Sequence, residues 1–190
     1  EQIQQWVAYH NTGPGQIPGL IVQSITDDDG AVDRTVERIV TLLNANVEPV
    51  APVVPMLIGH QLDLHPVQQS SADPIVQTST FDPATGTFDI PARTAAVFVQ
   101  VRDASEQIEL IIDDIDALEA AGVLNSGNAN ALRSKLENVL AKIDKGQIGA
   151  AVNQLEAFIN HVEALIKAGT LTEEQGAALI AAAEDAIAAL

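Results

Sequence analysis

The sequence predicts two domains in succession: an all-β antiparallel sandwich over residues 1–101, then an all-α four-helix bundle over residues 102–190 made of two helical-hairpin repeats. Near Val101 the apolar pattern changes from short runs broken by turn residues to a spacing of three or four. All nine prolines precede that point, and none follows Arg102. Beyond it, two stretches repeat one another at an offset of 47 residues.

In the first half, EQIQQWVAYHNTG starts in strand-like alternation. The runs GLIVQSI (19–25), ERIVTLLN (37–44), QLDLHPV (61–67), PIVQTSTF (74–81), GTFDIP (86–91) and TAAVFVQ (94–100) follow at close spacing. Six or seven short strands punctuated by Gly, Pro, Asn and Asp make an antiparallel sandwich. FDPATGTFDIPARTAAVFVQ (81–100) closes it, with two short strands about a Thr-Gly turn and Phe88, Ile90, Val97 and Val99 as apolar positions.

In the second half Ile108, Ile111, Ile115 and Leu118 share one helical face, as do Leu132, Leu136, Val139 and Ile143. Val152, Leu155, Ile159, Val162 and Ile166 mark a third helix. IDALEAAGVLNSGNANAL (115–132) aligns with VEALIKAGTLTEEQGAAL (162–179), pairing Gly122 with Gly169 and Leu124 with Leu171. A glycine there can take the left-handed conformation that closes a helix, after which the leucine tucks back toward the core. Thr172 with Gln175 has the spacing of a capping box, and Asn125 or Ser126 caps in the first copy. Asp-Lys-Gly at 144–146 joins the copies, and short connections force neighbouring helices antiparallel. The Val101–Ser105 junction lacks the Gly/Ser/Pro character of a flexible linker, which predicts restricted relative motion of the halves.

Composition excludes several classes of function. With a net charge of −17, and 11 acids against 3 bases up to Gln100, the chain repels phosphate, so nucleic acid and anionic membranes are poor partners. There is no cysteine, hence no disulfide, thiol nucleophile or Cys-based zinc site. The most apolar stretch, PVAPVVPMLIG (49–59), holds three prolines and is too short to span a bilayer. EQIQQWVAYHNTG has neither a basic leader nor an apolar signal core, which predicts either a cytoplasmic protein or a fragment.

No nucleophile elbow, phosphate loop or dinucleotide fingerprint occurs, and GPGQIPG (13–19) is a turn. His10, His60, His65 and His161 lack the i, i+4 spacing of a helical zinc site and are assigned as hydrogen-bonded structural or surface residues. No acid sits in a context suggesting the buried cleft of a glycosidase, so no catalytic residue is assigned. Asp27, Asp29 and Asp33, in and beside an acidic run, are candidate calcium ligands because hard cations take several carboxylate oxygens. Their spacing departs from an EF-hand, and an acidic turn is the other reading; no other cofactor is expected. Trp6 and Tyr9 are the candidate glycan contacts, two rings at odd offset that face opposite sides of a strand.

HNTGPGQIPGLIVQSI (10–25), IVTLLNAN (39–46), LHPVQQSSADPIVQTSTF (64–81) and FDPATGTFDIPARTAAVFVQ (81–100) together resemble the C-terminal domain of pullulanase-type α-1,6-glucosidases, debranching members of glycoside hydrolase family 13. VEPVAPVVPMLIGHQLD (47–63) departs from that pattern in its prolines, which leaves the strand path there open. EALIKAGTLTEEQGAALI, the copy before it, and NQLEAFINHVEALI (153–166) resemble the FIMAH helical module of bacterial extracellular proteins.

The first resemblance implies that the catalytic acids and sugar subsites belong to a preceding (β/α)-barrel. The expectation is therefore a non-catalytic accessory region of a secreted bacterial debranching enzyme. Its sandwich would pack on the catalytic barrel of the same parent chain, and its helical tail would serve attachment or a protein or cell-surface partner. The alternatives are an α-glucan-binding module and an adhesion or scaffold protein unrelated to starch.

Overall fold

The computed structural model describes residues 6–190, so the alternation read in residues 1–5 lies outside the described residues. The chain divides into two compact units, Glu1–Val101 and Arg102–Leu190.

The first unit is antiparallel β. Its main sheet has the order β1-β2-β3-β7-β4, formed by β1 (Val7–Tyr9), β2 (Leu20–Thr26), β3 (Val36–Asn44), β7 (Thr94–Val101) and β4 (Asp63–Leu64). Strand parity sorts the side chains onto two faces. Leu20 and Val22 of β2, Val40 and Leu42 of β3, Ala96 and Phe98 of β7 and Leu64 of β4 point inward and are buried. The outward face runs in cross-strand rows: Val7, Ile25, Ile39, Val99, Asp63; then Tyr9, Gln23, Thr41, Val97; then Ile21, Leu43, Ala95. A bulge between Val36 and Arg38 shifts the register at the end of β3.

The second layer is the hairpin β5 (Thr80–Asp82) and β6 (Thr87–Asp89). The proline-rich segment runs beside β6 as a third, interrupted strand: Val50 pairs with Ile90 and Val53 with Thr87. Pro52 has no amide to donate, but its carbonyl accepts from the Phe88 amide at 3.0 Å. The ladder is therefore reduced to isolated bridges. Gly86, at φ +69°, turns the hairpin, and a Cβ there would meet the Val54 carbonyl at 2.6 Å. Phe88 ties the layers together, its ring 4.5 Å from Phe81 and 5.0 Å from Phe98 across the core.

QLDLHPV and PIVQTSTF are mostly not strands. Only Asp63–Leu64 and Thr80–Asp82 pair, because Pro66 starts a helical turn (Pro66–Gln69) and Val76–Thr78 wind into a 3₁₀ turn.

The second unit holds four helices: α1 (Ala104–Ala120), α2 (Ser126–Ile143), α3 (Ile148–Lys167) and α4 (Glu173–Ala188). Each packs on two others, α1 on α2, α2 on α3, α3 on α4 and α4 back on α1, which closes the bundle. Ile108, Ile111, Ile115, Leu132, Leu136 and Val139 are fully buried, as the spacing predicts. In α3 the buried line runs through Leu155, Phe158, Val162 and Leu165, leaving Val152, Ile159 and Ile166 half-buried on its flank. Both lines have helical spacing, and the bulky Phe158 takes the centre.

Both hairpin corners are Schellman turns. Gly122 and Gly169 sit at φ +73° and +71°. Their amides donate to the Glu119 and Ile166 carbonyls, each at 2.9 Å, and the next amides donate to the Leu118 and Leu165 carbonyls at 2.9 and 3.0 Å. Leu124 and Leu171 are buried directly after. Asn125 is the cap of α2, accepting from the Asn128 amide, and Thr172 forms a complete capping box with Gln175.

Candidate functional site

The candidate residues gather at the β1 end of the main sheet, but they do not form one cluster. Trp6 immediately precedes β1 and is half-buried. It lines a cavity of about 290 Å³ together with Ala8, Ser24, Thr26, Asp28, Arg38, Met56 and Leu57. On its other side is a pocket of about 60 Å³ that includes Ile25, Val32, Val36 and Ile39. Tyr9 lies on the outward face of β1, opposite Gln23, and is 60% exposed.

Arg38, Thr26 and Ser24 of the larger cavity are held in hydrogen bonds. The Arg38 Nε donates to Thr26 Oγ1 at 3.2 Å, and its Nη1 donates to Gln100 Oε1 at 2.7 Å and to His60 Nδ1 at 2.8 Å. An arginine only donates, so His60 Nδ1 accepts in that contact, and Gln100 Oε1 lies 3.1 Å from the same nitrogen. Glu37 closes the group, accepting from Arg38 Nη2 at 3.4 Å and from the Gln100 amide. His10 Nε2 shares a 2.8 Å hydrogen bond with Ser24 Oγ. Burial, and then the nearby Arg38 charge, hold His10 below the ordinary imidazole value, so the ring is neutral at pH 7. This network braces the sheet end by tying β2, β3, β7 and the His60 segment together.

Asp27, Asp29 and Asp33 serve the turn that carries them. Asp27 is buried, and its carboxylate accepts amides from Ala31 at 3.1 Å, Val32 at 3.0 Å and Asp33 at 2.8 Å. Burial alone would raise its pKa, but the hydrogen bonds outweigh burial and the net direction is down. Asp29 accepts from the Ala31 amide, and Asp33 from the amide and hydroxyl of Thr35. Among the described residues no group of three or more His, Asp or Glu side chains is placed to hold a metal ion.

The asparagines of the resemblance blocks organise the neighbouring loops, a role that sequence reading did not assign. Asn11 grips the 12–19 loop, donating to the carbonyls of Ile17 and Leu20 and accepting from the Ile17 amide. Asn44 is buried and donates to the carbonyls of Glu48 and Pro91, while its oxygen takes the Asn46 amide. Asn46 in turn donates to the Pro18 carbonyl at 2.9 Å. The usable signal was Asn-x-Asn directly after a strand, a pattern suited to side chain-to-backbone turns.

In the helical unit, His161 of α3 is held below its ordinary value by burial and then by Lys135. Asp103 and Glu106 form a full capping box at the start of α1, also unassigned from the sequence although Asp-x-x-Glu has that spacing. Arg133 of α2 pairs with Asp116 and Glu119 of α1, an ion-pair set without a counterpart in the second hairpin, where Glu163, Ile166 and Ile180 occupy the repeat positions. No helix among the described residues is long and apolar enough to cross a membrane.

Residues 1–101 match the family described as alpha-1,6-glucosidases, pullulanase-type, C-terminal, and residues 108–188 match the FIMAH domain. Pullulanase 1, chloroplastic, of Arabidopsis thaliana is 43% identical over 107 residues, covering 53% of this chain and 11% of that protein. Among solved structures, PulA from Klebsiella oxytoca is similar at 26% identity and a TM-score of 0.44, over 51% of this chain and 9% of that one. The maltotriose complex of PulA from Klebsiella pneumoniae gives 29% identity and a TM-score of 0.44, over 51% and 10%. The chain thus spans about a tenth of the length of these relatives.

Proposed function

Because the chain belongs to the family of C-terminal domains of pullulanase-type α-1,6-glucosidases and continues into a FIMAH domain, we propose that it is the non-catalytic C-terminal accessory region of a starch- or α-glucan-debranching enzyme. The parent reaction is hydrolysis of α-1,6-glucosidic bonds, carried out by a catalytic barrel that precedes the sandwich in the same polypeptide. In this reading the sandwich stabilises that barrel, and the helical unit serves interaction or attachment. The match over residues 1–101 and its 43% identity with a plant pullulanase carry the reading. The hydrogen bonds that hold Arg38, Thr26 and Ser24 beside Trp6 support a bracing role for them. One relative is a chloroplast protein, so the family does not fix a compartment; secretion from a bacterium is proposed on the FIMAH domain. The gene's full reading frame tests this: the complete polypeptide hydrolyses pullulan, and the 190-residue chain alone releases no reducing ends.

A second reading, direct α-glucan binding, is favoured by the exposure of Tyr9 and by the position of Trp6 beside a cavity. Retardation of the chain in a pullulan-containing affinity gel, abolished by Trp6→Ala or Tyr9→Ala, would establish it. Migration independent of pullulan would remove it.

A further inference from the structure

The proline-rich segment of the second layer keeps an open backbone edge. Val50 exchanges hydrogen bonds with Ile90, the Pro52 carbonyl accepts from Phe88, and the Val54 amide donates to Gly86. The residues between them, Ala51 and Val53, therefore aim their amides and carbonyls away from β6. Neither has a backbone hydrogen-bond partner among the described residues, and both are exposed, Val53 at 57%. One donor and one acceptor thus stand at each of two positions about 6.8 Å apart along a strand edge. Pro49 and Pro55 offer no amide at either end, which confines pairing to a short stretch.

Two cavities flank this edge. On the side of the buried Pro52 and Val54 is one of about 180 Å³, also lined by Val22 and by His10, Asn11, Thr12 and Gln16. The Thr12 hydroxyl and the Gln16 side-chain amide have no partner among the described residues. On the outward side, the register of Val50 with Ile90 and of Val53 with Thr87 puts Asp89 across from Ala51. Ala51 and Asp89 line the second cavity, of about 410 Å³, whose walls include Pro49, Val50, Ile90 and Pro91.

We infer that the edge at Ala51 and Val53 binds an extended peptide segment of a separate protein, added as a short antiparallel strand with a small neutral polar side chain opposite Pro52 and a basic one beside Ala51. The free backbone groups select a polypeptide, because their spacing is that of a strand and an incoming chain presents the complementary donors and acceptors. Side-chain parity sets the rest. The residue opposite Pro52 turns inward. A space of about 180 Å³ is below the roughly 300 Å³ of an ordinary small-molecule site, yet it holds one side chain. Its walls carry hydroxyl and amide groups and the neutral ring of His10, which suits Ser, Thr or Asn. The residues on either side turn outward. Beside Ala51, a Lys or Arg reaches over that small side chain to Asp89 while its apolar stem covers Val50 and Pro91. The excess of 11 acids over 3 bases up to Gln100 favours the same sign of charge. The edge lies within residues 47–63, where the chain departs from the pullulanase-type pattern, so the inference is independent of the proposed function.

The test titrates the isotope-labelled 190-residue chain with the blocked peptide acetyl-Ala-Val-Thr-Arg-Ala-amide, followed by amide resonances. This peptide sets Val against Val53, Thr against Pro52 and Arg against Ala51. The Ala51 and Val53 amides shift saturably at about millimolar peptide, the scale of a few net hydrogen bonds. At about nine-tenths saturation their hydrogen exchange slows roughly tenfold. N-methylation of the peptide's Val and Arg removes its two donors and weakens binding about tenfold or more. Val53→Pro does the same from the other side, since the Val53 amide bonds to nothing in the fold. Asp89→Asn keeps the fold in any case: a peptide with Glu in place of Arg binds the parent chain about threefold more weakly and binds Asp89→Asn as well as the Arg peptide does. Absence of saturable shifts at Ala51 and Val53, or equal binding of the N-methylated peptide, overturns the inference. Protection of both amides without peptide also overturns it. If that protection grows with chain concentration the occupant is a second copy, and if it occurs only in the polypeptide from the full reading frame the occupant is its own chain.

Discussion

The carboxylate of Asp27 organises the turn after β2 by accepting three amides, and it does so best while ionised. Its pKa lies below the ordinary 3.8, so its contribution is complete above that value and is lost as pH falls through the folded value. Asp27→Ala is expected to cost about 2 kcal/mol in urea unfolding at pH 7, the scale of hydrogen bonds to a charged acceptor. The difference from the parent protein shrinks toward zero in strong acid. His10 and His161 act earlier in the acid titration. Both lie below the ordinary 6.5, chiefly through burial, so folding favours the neutral ring. Their contribution is full above 6.5 and declines as pH falls below it, which thermal unfolding between pH 7.5 and 4.5 will show as a falling Tm. At this scale the sequence was partly legible. An acidic turn was one of two readings of Asp27, but which amides its oxygens take depends on how the chain folds back at Ala31–Asp33. The same holds for Asn44, whose partner Pro91 lies far along the chain.

Gly122 and Gly169 have open space where a Cβ would go, so the cost of alanine there is set by the left-handed backbone alone. Gly122→Ala and Gly169→Ala should each destabilise the helical unit by about 1–2 kcal/mol, and by equal amounts if the corners are true repeats. Chemical denaturation followed by helical circular dichroism reads both. Gly176 is different: a Cβ on it would lie 2.2 Å from Ile166 Cδ1 and 2.4 Å from its Cγ1. In the first hairpin those positions are Ala129 and Glu119, so the second copy has glycine in place of alanine on one helix and isoleucine in place of glutamate on the other. Gly176→Ala is expected to destabilise by about 1–3 kcal/mol despite the better helix former, as overpacking does. Adding Ile166→Ala should recover part of that loss, giving a double-mutant coupling of about 1 kcal/mol. The corners were readable because a left-handed glycine and a following leucine leave a local signature. The Ile166–Gly176 contact was not, since it is a meeting of two helices. Periodicity also left α3 ambiguous, for its apolar residues satisfy two overlapping stripes and only packing selects Phe158 over Ile159.

Over the whole molecule the change from β to α was plain, because proline confinement and apolar period change at the same place. The second layer of the sandwich was harder to read. Prolines 49, 52 and 55 hide a strand that pairs mainly through carbonyls and alternate amides, and only the partner β6 reveals it. The outward face of the main sheet was visible as apolar residues at strand spacing, but exposure could not be assigned until the register set Ile21 beside Leu43 and Tyr9 beside Gln23. The decisive measurement is reducing-end release from pullulan by the full-reading-frame polypeptide and by the 190-residue chain, assayed side by side. The account predicts hydrolysis by the former and none by the latter; hydrolysis by the 190-residue chain, or a full polypeptide inert toward α-1,6 linkages, would contradict it.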